Sequence, residues 1–270
     1  MKLPLHASLP VFLALFVGAF DLAAADVIGS ARLVDGQQTV YQNVVIRWKP
    51  ANRSYEIVSP QGTLTFPANR LQLAIPRPRQ LDAARADLAA GRSAAVISAL
   101  NPILGDYIML QHDEEIAALL IRAHLAANNS AEALKVAERV IAARPESAFR
   151  GTMVSAYWAA LLAAGQNEKL RGFLDKAIQT GDIPAMSQAA IMRGDMILQK
   201  ANPSALDHRQ ALVDGYLRVI VLYAKDAKDV LAEALYKAAQ SFDKIGQTGR
   251  AQAFRNKLQA EFPNSEWAAK

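Results

Sequence analysis

The chain has 270 residues, with 30 lysines and arginines against 25 aspartates and glutamates, four histidines and no cysteine. That length suits one extended repeat domain plus a small module. The missing thiols exclude disulfides, thiolate metal sites, a cysteine nucleophile and a lipid-modified N-terminal cysteine. A net charge of +5 carried by dispersed basic residues predicts weak attraction to anionic surfaces, or simply solubility.

Residues 1–25 have the layout of a secretory signal. Lys2 supplies a positive start, Leu9 to Phe20 is almost uninterruptedly apolar, and Ala23-Ala24-Ala25 offers the small residues a signal peptidase reads. The run falls short of the ~20 apolar residues a bilayer span needs, so cleavage before Asp26 is expected rather than retention as an anchor. The exported product would be periplasmic or secreted.

Residues 26–76 read as a small antiparallel β module of four or five strands. Val44–Trp48, Tyr55–Val58, Thr63–Phe66 and Leu71–Ile75 combine β-branched and aromatic residues with alternating polarity. Asp35-Gly36, Pro50-Ala51-Asn52 and Pro60-Gln61-Gly62 are turn signals between them. So many short strands in so few residues predict a curled sheet or SH3-like barrel, packed on the C-terminal remainder of the chain because it is marginal alone. Pro76 and Pro78, at alternate positions, forbid a helix interior and a central strand there and mark the boundary.

Residues 77–270 change to alanine and leucine at helical spacing. Ten helices are predicted: Gln80–Ala90, Ser93–Leu104, Glu114–Ala127, Ala131–Ala143, Ala148–Ala164, Glu168–Gln179, Ala185–Lys200, Leu206–Tyr223, Asp229–Ile245 and Gly249–Phe262. Glycine, asparagine or proline comes after most of them, as helix ends require. Short connections keep sequential helices adjacent, so the expectation is a mainly α protein of five antiparallel pairs stacked as an αα-hairpin solenoid.

Two pair ends align. Ala133 stands twelve residues ahead of Pro145 and Ala251 twelve ahead of Pro263, with Val140 matching Leu258; Gly246, Phe242 and Ala239 precede Ala251 at steps of five, four and three. This pattern resembles the tetratricopeptide repeat, and Leu235–Pro263 looks like the C-terminal repeats of bacterial envelope proteins of the Tol-Pal coordinator type. Small residues let paired helices approach, the aromatic fills the groove and the proline ends the second helix. Closing positions fall at Ile108, Pro145, Asp182, Ala224 and Pro263, giving spacings of 37, 37, 42 and 39. The family period is about 34. The widest spacing reflects an insertion at Ala201–His208. His124 and Leu161 replace the aromatic in the second and third repeats, and Trp158 stands where a small residue is usual, which predicts an opened pair or a shifted register there. Tyr157, Trp158, Phe173, Tyr216, Tyr223 and Phe242 sit at helical spacing among alanine and leucine and are expected in the core.

No enzyme chemistry is legible. The chain has no HExxH, no GxSxG and no phosphate-binding glycine loop. His112-Asp113-Glu114-Glu115 is the best local cluster, and it reads as a helix start with acids at the positive end of the dipole rather than as a metal site. Neither a cofactor, nor a metal, nor nucleic acid is implied, since basic residues do not interleave with aromatics. The resemblance implies a protein-interaction scaffold or adaptor of the cell envelope, with a partner protein or extended peptide on a concave face lined by the first helix of each pair. It places Arg122, Ser155, Gln188, Asp195, Tyr236, Gln240 and Lys244 outward on that face. Trp267 is expected to cover the open end of the array. The alternative drawn from charge is a protein that binds an envelope polymer or anionic lipid.

Overall fold

The computed structural model describes residues 26–34 and 39–270. The signal-like segment and the Asp35-Gly36 turn lie outside the described residues.

Five strands, β1 (Ile28–Leu33), β2 (Val40–Lys49), β3 (Ser54–Ser59), β4 (Gly62–Pro67) and β5 (Leu71–Ala74), pair antiparallel in the order β4-β3-β2-β1-β5. The four named runs each match a strand, with Ile75 alone lying one residue past the end of β5. The fifth, β1, carries the small residues Gly29, Ser30 and Ala31, and it is small for a reason of packing. A Cβ at Gly29 would stand 2.7 Å from Ile75 Cδ1 and 2.9 Å from the Ala74 carbonyl oxygen, so this strand must be slim where the sheet closes around its core. Val27, Ala31, Val44, Ile46, Tyr55, Ile57, Leu71 and Ile75 form that core.

Ten helices come next among the described residues: α1 (Gln80–Ala89), α2 (Ser93–Tyr107), α3 (Asp113–Ala126), α4 (Ser130–Ala143), α5 (Val154–Ala163), α6 (Asn167–Gln179), α7 (Ile183–Leu198), α8 (Ala205–Ala211), α9 (Lys228–Lys244) and α10 (Thr248–Glu261). They succeed one another as packed neighbours in a repeat-like array. Asn129 and Asp182 cap α4 and α7 with their side chains, and Ser204 with Asp207 forms a reciprocal capping box at α8. The Ala201–His208 insertion thus resolves into a short loop and the first turn of α8.

The structure departs from the expected helices in three places. Helix α2 runs three residues past Leu104, to Tyr107, with Pro102 exposed inside it. Tyr107 packs against both the helical core and the sheet core, and Leu110 enters the sheet core, so the helix is extended to join the two. Helix α5 starts six residues later than expected, at Val154. A 3-10 turn at Pro145–Ala148 and a loop intervene, and the Glu114 carboxylate gathers them by accepting from Ser147 Oγ and Thr152 N, each at 2.6 Å. Beyond Ala211, α8 widens into two π-helical segments, Leu212–Tyr216 and Val219–Tyr223.

The sheet and the helices are joined by specific bonds. Gln111 treats the free edge of β5 as a strand would: its Oε1 accepts from Ile75 N at 2.7 Å and its Nε2 donates to Leu73 O at 3.2 Å. Tyr55 donates its hydroxyl to Met109 O at 2.7 Å. An edge strand otherwise presents unpaired backbone groups, and the amide side chain removes two of them.

Helix α7 stands between two cores. Ala185, Ala189 and Met192 belong to the larger, which extends back to α1, while Ala190 and Ile191 belong to the second, shared with α8, α9 and α10. A helix apolar on nearly all sides is what an interior member of a stacked array requires. Trp158 is wholly buried and donates its indole N–H to Ala148 O at 2.9 Å. Helix α5 rests chiefly on α3 and α4 and less on α6. Tyr157, Tyr216 and Phe242 are buried as expected, while Phe173 and Tyr223 are half-buried. Trp267 packs over α9 and α10 beside Leu231, Leu235 and Leu258.

Candidate functional site: a polar groove at the α7, α8 and α9 junction

The site begins with two glycines inside helices rather than at their ends. Gly194 of α7 and Gly215 of the first π segment meet where the two backbones cross. A Cβ at Gly215 would lie 2.8 Å from Gly194 Cα and 2.9 Å from both Gly194 N and Ala190 O, and a Cβ at Gly194 would lie 2.6 Å from the Tyr216 ring. Small residues at such a crossing let the helices touch through their main chains. The π turns occur at this same contact, and π segments commonly mark places where a helix departs from its regular register.

The close approach brings Tyr216 onto α7. Its hydroxyl donates to Asp195 Oδ1 at 2.9 Å, and Lys237 Nζ of α9 reaches Asp195 Oδ2 at 2.6 Å and Glu233 at 2.6 Å. Burial pushes the Tyr216 phenol well above its ordinary value, and the Asp195 carboxylate adds to that. Burial draws the Lys237 ammonium toward neutrality, yet Asp195 and then Glu233 outweigh it and hold its pKa above that of an ordinary lysine. Three helices are therefore tied by one charged, fully partnered cluster.

Above that cluster lies a groove of about 710 Å³ lined by α7, α8, α9 and α10. Asp195 and Leu198 contribute from α7, His208 from α8, Gln240, Ser241 and Lys244 from α9, and Arg255 from α10. Arg255 is ion-paired to Asp243. His208 Nδ1 stands 3.4 Å from Ser241 Oγ. Burial, and then the nearby Lys244 ammonium, lower the His208 imidazole below the ordinary histidine value, with Asp207 opposing.

A titration checks this arrangement. The folded state holds fewer protons on His208 than the unfolded chain once the pH falls below about 6.5, so stability drops from there down to the folded pKa. Lys244→Gln should raise the His208 midpoint, read from the imidazole C–H resonances with His208→Gln for assignment. An unmoved midpoint would show that Lys244 does not act on the ring.

Of the seven residues placed outward by sequence, three share this groove: Asp195, Gln240 and Lys244. Tyr236 and Gln240 line the adjoining recess of about 350 Å³ with Trp267, and Gln240 Nε2 donates to the Tyr236 hydroxyl at 2.7 Å. Arg122 is exposed on α3, and Ser155 and Gln188 are half-buried on α5 and α7; none of the three borders either cavity. Two placements need correction. Asp195 is not a free acid offered to solvent, because Tyr216 and Lys237 engage both its oxygens. Tyr236 is not an open aromatic, because its ring packs on Trp267 with centroids 5.4 Å apart. Gln188 has an Oε1 that is buried without a hydrogen-bond partner.

Sequence reasoning missed Gly194, Gly215, Lys237 and the groove role of His208. The glycines carried a signal, since helix-interior glycine is disfavoured by about 1 kcal/mol against alanine and calls for a packing reason. Lys237 carried half of one: Glu233 stands four residues before it on α9, a readable helix pair, but Asp195 reaches it from α7, which spacing along the chain does not show. Among the described residues no three histidine, aspartate or glutamate side chains are placed to hold a metal ion, and no helix is long and apolar enough to cross a membrane. Comparison with protein-family models, with curated proteins and with solved structures found no match in any of the three.

Proposed function

We propose that the chain is an exported protein-interaction scaffold of the cell envelope, with tetratricopeptide-like hairpins following an SH3-like sheet. An extended segment of a partner protein would lie in the groove between α7, α8 and α9. The observation that carries this reading is the groove itself. It brings Gln240, Ser241, His208 and Lys244 together with the apolar Leu198, and Lys244 makes no ion pair among the described residues. An extended peptide needs donors and acceptors for its backbone and shallow apolar contact for its side chains, and this surface supplies both. The tied cluster beneath supports the reading further, because a surface held rigid before binding loses less entropy on association.

The test is recovery of the exported protein from envelope extract under gentle crosslinking. A protein partner should be captured, and Gln240→Arg with Lys244→Glu should weaken capture about tenfold while leaving the circular dichroism unchanged. Recovery of no protein partner would overturn the scaffold reading. Capture that ignores both substitutions would move the contact elsewhere on the array.

A further inference from the structure

The side of α8 turned away from Tyr216 is apolar and uncovered. Leu206, Val213, Val221 and Leu222 are 70%, 62%, 73% and 60% exposed. Ala211, Leu212, Tyr216 and Val219 on the other side are buried, so the segment is sharply two-faced. Single exposed aliphatic side chains are common on soluble proteins, but four along one helical segment form a patch. The cations are interleaved with them. Arg209 stands three residues after Leu206 and four before Val213, Arg218 stands three before Val221, and Lys225 stands four after Val221; all three are exposed. Positions three and four apart are neighbours on a helix surface.

Neither Arg209, Arg218 nor Lys225 forms an ion pair with an acid among the described residues. Arg218 instead donates from Nε to the Val213 carbonyl at 3.4 Å. Of the acids nearby, Asp207 pairs with Lys200 at 2.5 Å and Asp214, half-buried, lines a cavity of about 620 Å³ beside Arg218, leaving Asp226 exposed at the far end.

We propose that this outer face of α8 docks on an anionic phospholipid surface, with the four aliphatic side chains entering the interface and the three cations meeting phosphate headgroups. Charge complementarity selects this occupant. An apolar stripe edged by unpaired cations is the pattern of a helix that lies in the plane of a bilayer interface. A second copy of the chain would set like charges against each other across the symmetric contact. Four aliphatic side chains also fall short of the ~800 Å² per partner that a stable dimer takes. The surface lies on the opposite side of α8 from the groove, so lipid and a protein partner could be held together.

Co-sedimentation of the exported protein with vesicles decides the matter. Binding is expected to equimolar phosphatidylglycerol and phosphatidylethanolamine and not to phosphatidylcholine. Val221→Asp with Leu222→Asp should weaken it about tenfold or more, because apolar contact is lost and a repelled charge is added. Arg209→Glu with Lys225→Glu should remove the preference for anionic vesicles. All four sites are exposed, so thermal midpoints should stay within a few degrees, which separates lost docking from lost folding. The proposal fails if the wild-type protein stays in the supernatant, or if the aspartate pair sediments as the wild type does. It fails equally if the aspartate pair leaves vesicle binding intact and instead converts a dimer to a monomer in sizing.

Discussion

Gly215→Ala is expected to lower the thermal midpoint by about 10 °C. The added Cβ has nowhere to go. It would meet Gly194 Cα at 2.8 Å and Gly194 N and Ala190 O at 2.9 Å, all main-chain atoms of α7 that cannot rotate aside. The helices must separate, and separation withdraws Tyr216 from Asp195 and loosens Lys237 with it. Overpacking of this kind costs about 3 kcal/mol, which at about 3 °C per kcal/mol for a chain of this size gives the stated shift. Gly172→Ala in α6 is the control. Nothing lies within 4 Å of a Cβ there, so the same substitution should stabilise by about 0.5–1 kcal/mol through helix propensity. If both alanines proved neutral under circular dichroism melting, the close crossing of α7 and α8 would be wrong.

Trp158→Ala should be about as damaging, with a loss of about 4 kcal/mol, and its damage should be local. The ring is the largest fully buried side chain among the described residues, and its N–H satisfies Ala148 O in the turn before α5. Trp158→Phe separates the two contributions. It keeps much of the volume but leaves the Ala148 carbonyl without that donor, for about 2 kcal/mol. In an array whose units touch only their neighbours, destabilisation spreads weakly. Amide exchange in the alanine variant should therefore quicken across α3 to α6 while α9 and α10 keep most of their protection. Uniform acceleration along the whole chain would show a single cooperative unit instead.

Much of the fold is readable because its signals are local. Strand alternation and helix punctuation depend on neighbours in the chain, and Asn129, Asp182 and the glycines and prolines between helices act within a few residues of themselves. Sequence and structure part where a distant group overrides the local pattern. Residues 148–153 look helical, but Glu114, more than thirty positions earlier, holds Ser147 and Thr152 as a loop. Leu206–Tyr223 reads as one α-helix, but the contact between Gly215 and Gly194 accompanies a change to π geometry. β1 looks weak as a strand, because close packing on Ile75 and Ala74 selects small residues over strand-forming ones.

The candidate site divides along the same line. The repeat resemblance places Gln240 and Lys244 on an outward face, and they share a groove. The same resemblance places Asp195 on that face, yet it is a structural acid, because the two groups that engage it arrive from α8 and α9, 21 and 42 positions later in the chain.

By itself the sequence determined where strands give way to helices and where most helices stop. Those features come from backbone preferences and hydrophobic period, which a few successive residues are enough to express. Only the tertiary structure decided which polar residues are consumed in holding helices together and which are left to face a groove or a surface. A charge's role depends on the partners within a few ångströms of it, and in a stacked array those partners come from other helices.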